Sequence, residues 1–272
     1  MSETEAAAAS TAQPAQRPAG VPASVRARFA NRDEMFGAIS RAFLATVPVK
    51  PELALDLGCS LGYTTRMLGQ SLRATRTVGI DRTPDFIEFA RDGAPAGVEF
   101  LVHDATEVPF PTGPADVIYA RFVLPHVPEP LAVVGRWASQ LRPGGMVLLD
   151  EVEEIRSDPG DASAFRRCLD IVDELQAHHG ATQGEIGAVL DAHDWTPLRR
   201  VSSQLVSLRP PAAVVVTPLL LSMRSWRRDP YIQRTYPDPA LPRLEAELRE
   251  LAAAGGLAPI TWELRQVMLA RD

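Results

Sequence analysis

Phe36, Ile39, Phe43, Leu44 and Val47 recur at helical spacing, which predicts an amphipathic helix over about Arg26–Val47, closed by Pro48 and Pro51. From Leu53 onward the rhythm changes to short, continuous apolar runs separated by amphipathic stretches. Leu53–Leu57, Thr77–Ile80, Val98–Val102, Asp116–Ala120 and Met146–Leu149 read as buried strands. Helices are predicted between them: one through Met67 and Leu68, one opened by Thr83 as N-cap and Pro84 in the first turn, and one over Leu131–Leu141 that Arg142-Pro143-Gly144-Gly145 ends. Strands apolar on both faces, alternating with helices, imply an open α/β fold: a mostly parallel sheet with helices on both faces.

After Glu154 the pattern is less regular. Two polar-faced helices are predicted at Asp161–His179 and Gln183–Asp191, then a strand near Val201–Leu208. An apolar helix over Ala212–Met223, an amphipathic one over Leu241–Ala254 and a last strand over Ile260–Leu269 follow. The opening residues are rich in Ala, Ser, Thr, Gln and Pro. They lack a basic start with an apolar run, so they read as a disordered tail over residues 1–24 and not as a signal peptide. Residues 25–272 are expected to form one domain. The Ala212–Met223 run is too short to span a bilayer and contains Pro218, so no membrane role is expected.

Composition removes several chemistries. Of the 28 Lys and Arg residues, Lys50 is the only lysine, and Asn31 is the only asparagine. A lysine Schiff base would have to use Lys50, the Gly-Lys pair of a Walker A loop is absent, and no asparagine can serve a kinase catalytic loop. With 34 acidic residues the net charge is −6, without the basic footprint that nucleic acid needs. Cys59 and Cys168 are too few for a disulfide framework, which suits a reducing cytoplasm.

The most informative stretch is Leu55-Asp56-Leu57-Gly58-Cys59-Ser60-Leu61-Gly62-Tyr63, a glycine turn between the first strand and a helix, where backbone N–H groups can approach a ligand. Gly58-Cys59-Ser60-Leu61-Gly62 is also a Gly-x-Ser-x-Gly pattern. A serine hydrolase using Ser60, with His103, His126 or His193 completing a triad, is therefore a rival reading. Its placement after the first strand and the lack of a His-Gly oxyanion segment argue against it. A Gly-x-Gly-x-x-Gly dinucleotide fingerprint fails at Ser60 and Tyr63. Asp81, at the end of the second strand, is positioned to accept two hydrogen bonds from a ribose diol.

The segment Leu55–Gly62 resembles motif I of class I (Rossmann-like) S-adenosylmethionine-dependent methyltransferases, with Ser60 where that motif carries its central glycine. Gly79-Ile80-Asp81, His103-Asp104-Ala105, the run Ala120–Pro130 and Arg142-Pro143-Gly144-Gly145 resemble further family segments in order and spacing, those of the small-molecule branch. The resemblance covers about residues 50–155 and marks them as a cofactor-binding half. It implies a seven-stranded sheet with an antiparallel last strand and a helical cap insertion, about 155–197, between strands five and six. S-adenosylmethionine would lie across the carboxyl ends of the first strands. Gly58, Cys59, Ser60 and Gly62 would line its methionine and ribose portion, with Asp56 nearby. Asp81 would hold the ribose, Asp104 the adenine, Ala120 and Arg121 would flank the sulfonium side, and Arg82 and Ala105 would also contact the cofactor.

Methyl transfer from a sulfonium needs alignment above all, and a base only when the nucleophile arrives protonated. His126, just past the fourth strand, is the candidate base. Of the acidic run at Asp150, Glu151, Glu153 and Glu154, only Asp150 and Glu151 sit early enough to orient an acceptor. Glu174 and His178 share a helical face but have no third ligand at metal spacing, so no metal is expected. The expected acceptor is a small molecule methylated at O, N or C, a secondary-metabolism intermediate. The alternative is a cofactor-binding protein of this fold with a cyclising or regulatory role. A monomer and a homodimer are both compatible with the sequence.

Overall fold

All five residues of Leu53–Leu57 are buried, which only a strand covered on both faces requires. In the computed structural model, which describes residues 20–158, 163–178 and 186–272, this strand (β1) is central. β2 (Arg76–Asp81) and β3 (Val98–Val102) lie on one side. On the other lie β4 (Ala115–Arg121), β5 (Leu141–Ser157), β7 (Ile260–Ala270) and β6 (Arg199–Leu208). The order is β3-β2-β1-β4-β5-β7-β6, and β7 alone runs against its neighbours. This is the seven-stranded sheet expected.

Helices cover both faces. α1 (Ala23–Leu44) and α2 (Tyr63–Leu72) set Phe43, Leu44, Met67 and Leu68 against Val117, Tyr119 and Leu148. On the opposite face, Trp137 of α4 (Pro130–Ala138) and Leu190 of α6 (Gly187–Ala192) pack on Leu55, Leu57, Val147 and Leu149. α3 (Pro84–Arg91) fits Ile87 and Ala90 against Phe100. A second apolar core joins α5 (Ala164–His178), α7 (Ala212–Trp226), α8 (Pro230–Thr235) and α9 (Ala240–Ala254) through Phe165, Met223, Ile232 and Leu248.

Several boundaries differ from the sequence reading for identifiable reasons. α1 starts at Ala23, inside the expected tail, and ends at Leu44, where the Thr46 hydroxyl donates to the Phe43 carbonyl. Residues 1–19 lie outside the described residues, as do 159–162 and 179–185, which hold parts of the two predicted insertion helices. α4 stops at Ala138 because Leu141 already pairs with Ala115. β5 then runs on to Ser157 opposite β7, so the acidic run Asp150–Glu154 is strand. Thr83 occupies the N-cap of α3 without a side-chain bond; instead its amide donates to Asp81 Oδ1 at 2.9 Å. α8 was not foreseen, although Asp229 before Pro230 is a cap signal: its carboxylate accepts from the Tyr231 and Ile232 amides.

α7 continues through Pro218. Proline lacks the N–H that would bond the carbonyl four residues back, at Val214. The Asn31 side-chain amide of α1 donates to that carbonyl at 3.4 Å, so the single asparagine supplies the missing partner and ties α1 to α7. Among the described residues no helix is long and apolar enough to cross a membrane.

Candidate functional site

At the carboxyl ends of β1 and β2 the chain makes a turn that only unusual dihedrals permit. Gly58 and Gly62 have φ of 67° and 79°, and Ser60 between them has φ of 49°. A Cβ on Gly62 would meet the Phe100 ring at 2.6 Å. The turn is fixed from the next strand: Asp81 Oδ2 accepts the Ser60 amide at 2.9 Å while Oδ1 accepts Thr83. Asp81 is thus both a turn-former and a carboxylate with remaining lone pairs on a cavity wall.

That cavity, about 240 Å³, is lined by Gly58, Asp81, Arg82, Asp104, Ala105 and His126, all expected from sequence, together with Thr83, Phe86, Phe122, Val123 and Val127. Asp104 Oδ1 accepts the Thr106 amide and hydroxyl, both at 2.8 Å, and the amide bond above all holds its carboxyl below the usual range. Two carboxylates therefore face one cavity at the ends of β2 and β3, a donor-accepting pair suited to a ribose diol and an exocyclic amine. The apolar side chains of Phe86, Val123 and Val127 suit a flat base. The residues present fit S-adenosylmethionine.

The other predicted cofactor residues lie behind this wall. Asp56 is buried and accepts the Thr65 hydroxyl at 2.6 Å rather than a turn amide; burial pushes its carboxyl up to about 7. Cys59 is buried, and burial pushes its thiol up as well. Ala120 is in the core. Arg121 is buried and directed at α1 and α2, reaching Thr64 at 3.0 Å, Ser40 at 3.3 Å and Asp33 at 3.4 Å, so it lines neither cavity. The Ser60 hydroxyl donates to the Gly58 carbonyl at 3.5 Å, His103 contacts the Glu107 carbonyl and His193 packs on Trp195. No hydrolase triad is assembled around Ser60 among the described residues.

A second cavity of about 480 Å³ adjoins the first, with Phe122 and His126 in the walls of both. Met35 and Phe36 of α1, Leu169 and Val172 of α5, and Val215 and Leu219 of α7 give it apolar walls. α7 belongs to the β6–β7 connection, so the roof draws on a segment that the sequence showed only as an apolar helix. Glu174 and His178 are engaged elsewhere, with Tyr236 and Tyr231 respectively.

Phe122 has φ of 57°, a left-handed conformation that costs a bulky residue about 1–2 kcal/mol. Its amide donates to the Asp150 carbonyl at 3.1 Å, and the next two amides, Val123 and Leu124, both donate to Glu151 Oε1 at 2.9 and 3.0 Å. Glu151 is fully buried, lines the larger cavity, and has no hydrogen-bond partner at Oε2. Burial pushes its carboxyl up to about 8. It anchors the turn Leu124–His126 that presents His126. Burial, then Arg32 and Arg82, lower the His126 pKa below its usual value, which favours the neutral imidazole.

Residues 55–149 match the family described as a methyltransferase domain. Phosphoethanolamine N-methyltransferase 3 of Arabidopsis thaliana is 32% identical over 116 residues, 41% of this chain and 24% of that protein. Trans-aconitate 2-methyltransferase of Methylobacterium radiotolerans is 34% identical over 105 residues, 38% of this chain and 40% of that protein. The chain thus spans less than half the length of these curated relatives. A cyclopropane synthase of Mycobacterium tuberculosis superposes with a TM-score of 0.54 at 17% identity, over 86% of this chain and 83% of that one. Phosphoethanolamine N-methyltransferase 2 of Haemonchus contortus, solved with phosphomonomethylethanolamine and S-adenosylhomocysteine, gives 0.53 at 14% identity, over 92% and 58%. At these identities the structural likeness establishes the fold.

Proposed function

Because residues 55–149 match a methyltransferase domain, we propose that the chain is a class I S-adenosylmethionine-dependent methyltransferase that transfers a methyl group from S-adenosylmethionine to a small molecule. One observation carries this reading: the cavity bearing Asp81 and Asp104 shares Phe122 and His126 with a larger, mostly apolar cavity, so two molecules can meet at one wall. The curated relatives are named for small-metabolite acceptors, which supports the same class here. The apolar walls favour an acceptor with a sizeable apolar body, such as a secondary-metabolism intermediate.

The cofactor, when bound, supplies a methyl already activated on a sulfonium. Asp81 and Asp104 hold the nucleoside by charge-assisted hydrogen bonds at the ends of adjacent strands. Phe122, fixed in its left-handed conformation, closes the shared wall and keeps water from the junction. Neutral His126 accepts a proton from the acceptor where the attacking atom carries one. Proximity and orientation between the two cavities supply most of the rate.

Calorimetric titration with S-adenosylhomocysteine tests the cofactor assignment. Asp81→Ala should weaken binding at least tenfold, because it removes ribose contacts and unties the Ser60 amide. Unchanged affinity in that variant would overturn the assignment. Transfer itself is read as S-adenosylhomocysteine formed in the presence of an acceptor; a protein that binds cofactor and never turns over would have the cyclising or regulatory role instead.

A further inference from the structure

The charges facing the larger cavity do not balance. Arg28 and Arg32 of α1 both line it, and neither makes an ion pair with a carboxylate among the described residues. Two carboxyl groups also line it. Asp173 is already bonded to Arg166, and Glu151 has one oxygen committed to two backbone amides while burial favours its neutral form. His126, the remaining titratable group of the lining, is held toward its neutral form. Among the described residues the site therefore holds two guanidinium groups with no carboxylate at ion-pair distance, Glu151 acting on Arg32 only from farther off.

Their surroundings sharpen the point. Arg32 lies over the Phe122 ring, 5.7 Å from its centroid, and over Phe29 at the same distance, which fixes the guanidinium close to the junction of the two cavities. Desolvation, then Arg121 and Arg28, draw its pKa down to about 10 while Glu151 acts in the opposite sense, and both Arg28 and Arg32 keep access to solvent. Beyond it the walls are apolar: Phe36 packs edge-on against Phe122 at 4.9 Å and Trp262 at 5.4 Å, with α5 and α7 opposite. The buried Trp262 indole N–H and Glu151 Oε2 both lack a hydrogen-bond partner there.

We propose that the acceptor is an amphipathic oxyanion, its apolar body seated between α5, α7 and Trp262 and its carboxylate or phosphate gripped by Arg32 and Arg28. The guanidinium fork matches both head groups bidentately, and an ion pair beside the junction would also fix which atom reaches the shared wall. This rests on the methyl-transfer reading of the site.

The test is calorimetry on protein saturated with S-adenosylhomocysteine, using four probes of one shape: naphthaleneacetate, naphthylmethyl phosphate, naphthaleneacetamide and naphthylethylamine. The two anions should bind at least tenfold more tightly than the amide and the amine. Arg32→Met and Arg28→Met should erase that preference while S-adenosylhomocysteine affinity stays within twofold, and Arg32→Lys should restore part of it. Equal affinities, preference for the amine, or no binding of any probe would overturn the proposal. Failure of the unaltered protein to bind S-adenosylhomocysteine would instead overturn the methyl-transfer reading beneath it.

Discussion

Arg121 and Asp150 stand opposite each other across β4 and β5, and both reach the same hydroxyl: Ser40 of α1 donates to Asp150 Oδ2 at 2.7 Å and accepts from Arg121 at 3.3 Å. Tyr119 and Gln266 complete the set of donors to Asp150, at 2.9 and 3.2 Å. The network is buried and fastens the helix carrying Arg28 and Arg32 to the centre of the sheet.

Ser40→Ala leaves Asp150 and Arg121 each short of a partner in a dry environment, at a cost of about 1–3 kcal/mol. Thermal melts should fall by several degrees, and acceptor KM should rise more than S-adenosylhomocysteine Kd. A melt within one degree of the unaltered protein would show that the hydroxyl is not a fastening.

Ser60 sits where a side chain is strained. Its left-handed φ costs about 1–2 kcal/mol, against roughly 0.5–1 kcal/mol of extra chain entropy for glycine. Ser60→Gly should therefore raise stability slightly in chemical denaturation and keep S-adenosylhomocysteine affinity. Ser60→Val, β-branched at the same φ, should lose binding at least tenfold.

Glu151 stays protonated in the folded chain up to about pH 8, whereas an unfolded glutamate releases its proton near 4.5. Between those values the folded state binds more protons than the unfolded one, so stability falls as pH rises, by up to about 1.4 kcal/mol per pH unit. The contribution is fully present below about 4.5 and lost as pH climbs through about 8. Glu151→Gln, which keeps an oxygen for the Val123 and Leu124 amides, should flatten the fall. Asp56, raised to about 7, should leave a residual slope of the same sign. Identical pH–stability curves for variant and parent would remove the buried acid from this role.

Asn31 and Pro218 should be coupled through the Val214 carbonyl. Asn31→Ala alone should cost about 0.5–1.5 kcal/mol. In a Pro218→Ala background, where residue 218 regains its own N–H for that carbonyl, the same change should cost much less. Additive effects in the double-mutant cycle would refute the link.

The part of the fold around β1 and β2 is legible because its signals are local. β1 and β2 are continuous apolar runs, and Asp81 ends one of them at a set distance from the glycine turn. The roof is not legible. An apolar helix such as α7 has the same sequence whether it fills a core or walls a cavity, and nothing near Arg32 announces that residue 122 or 151 will face it. Glu151 was visible as a candidate acid, but its hold on the Val123 and Leu124 amides depends on the left-handed turn at Phe122, which no residue type there signals. For Arg121, a place at the end of β4 suggests a ligand residue, while its reach to Ser40 depends on α1, some eighty positions earlier.

Of the residues around the larger cavity, only Phe122, Pro125 and His126 fall within the segment shared with the methyltransferase family, residues 55–149. The rest come from an N-terminal helix, the end of β5, an insertion, a late connection and β7. On the proposed methyl-transfer reading, acceptor choice can therefore drift while the segment around Asp81 and Asp104 stays fixed. Exchanging α5 and α7 between relatives should transplant preference without rebuilding the catalytic wall.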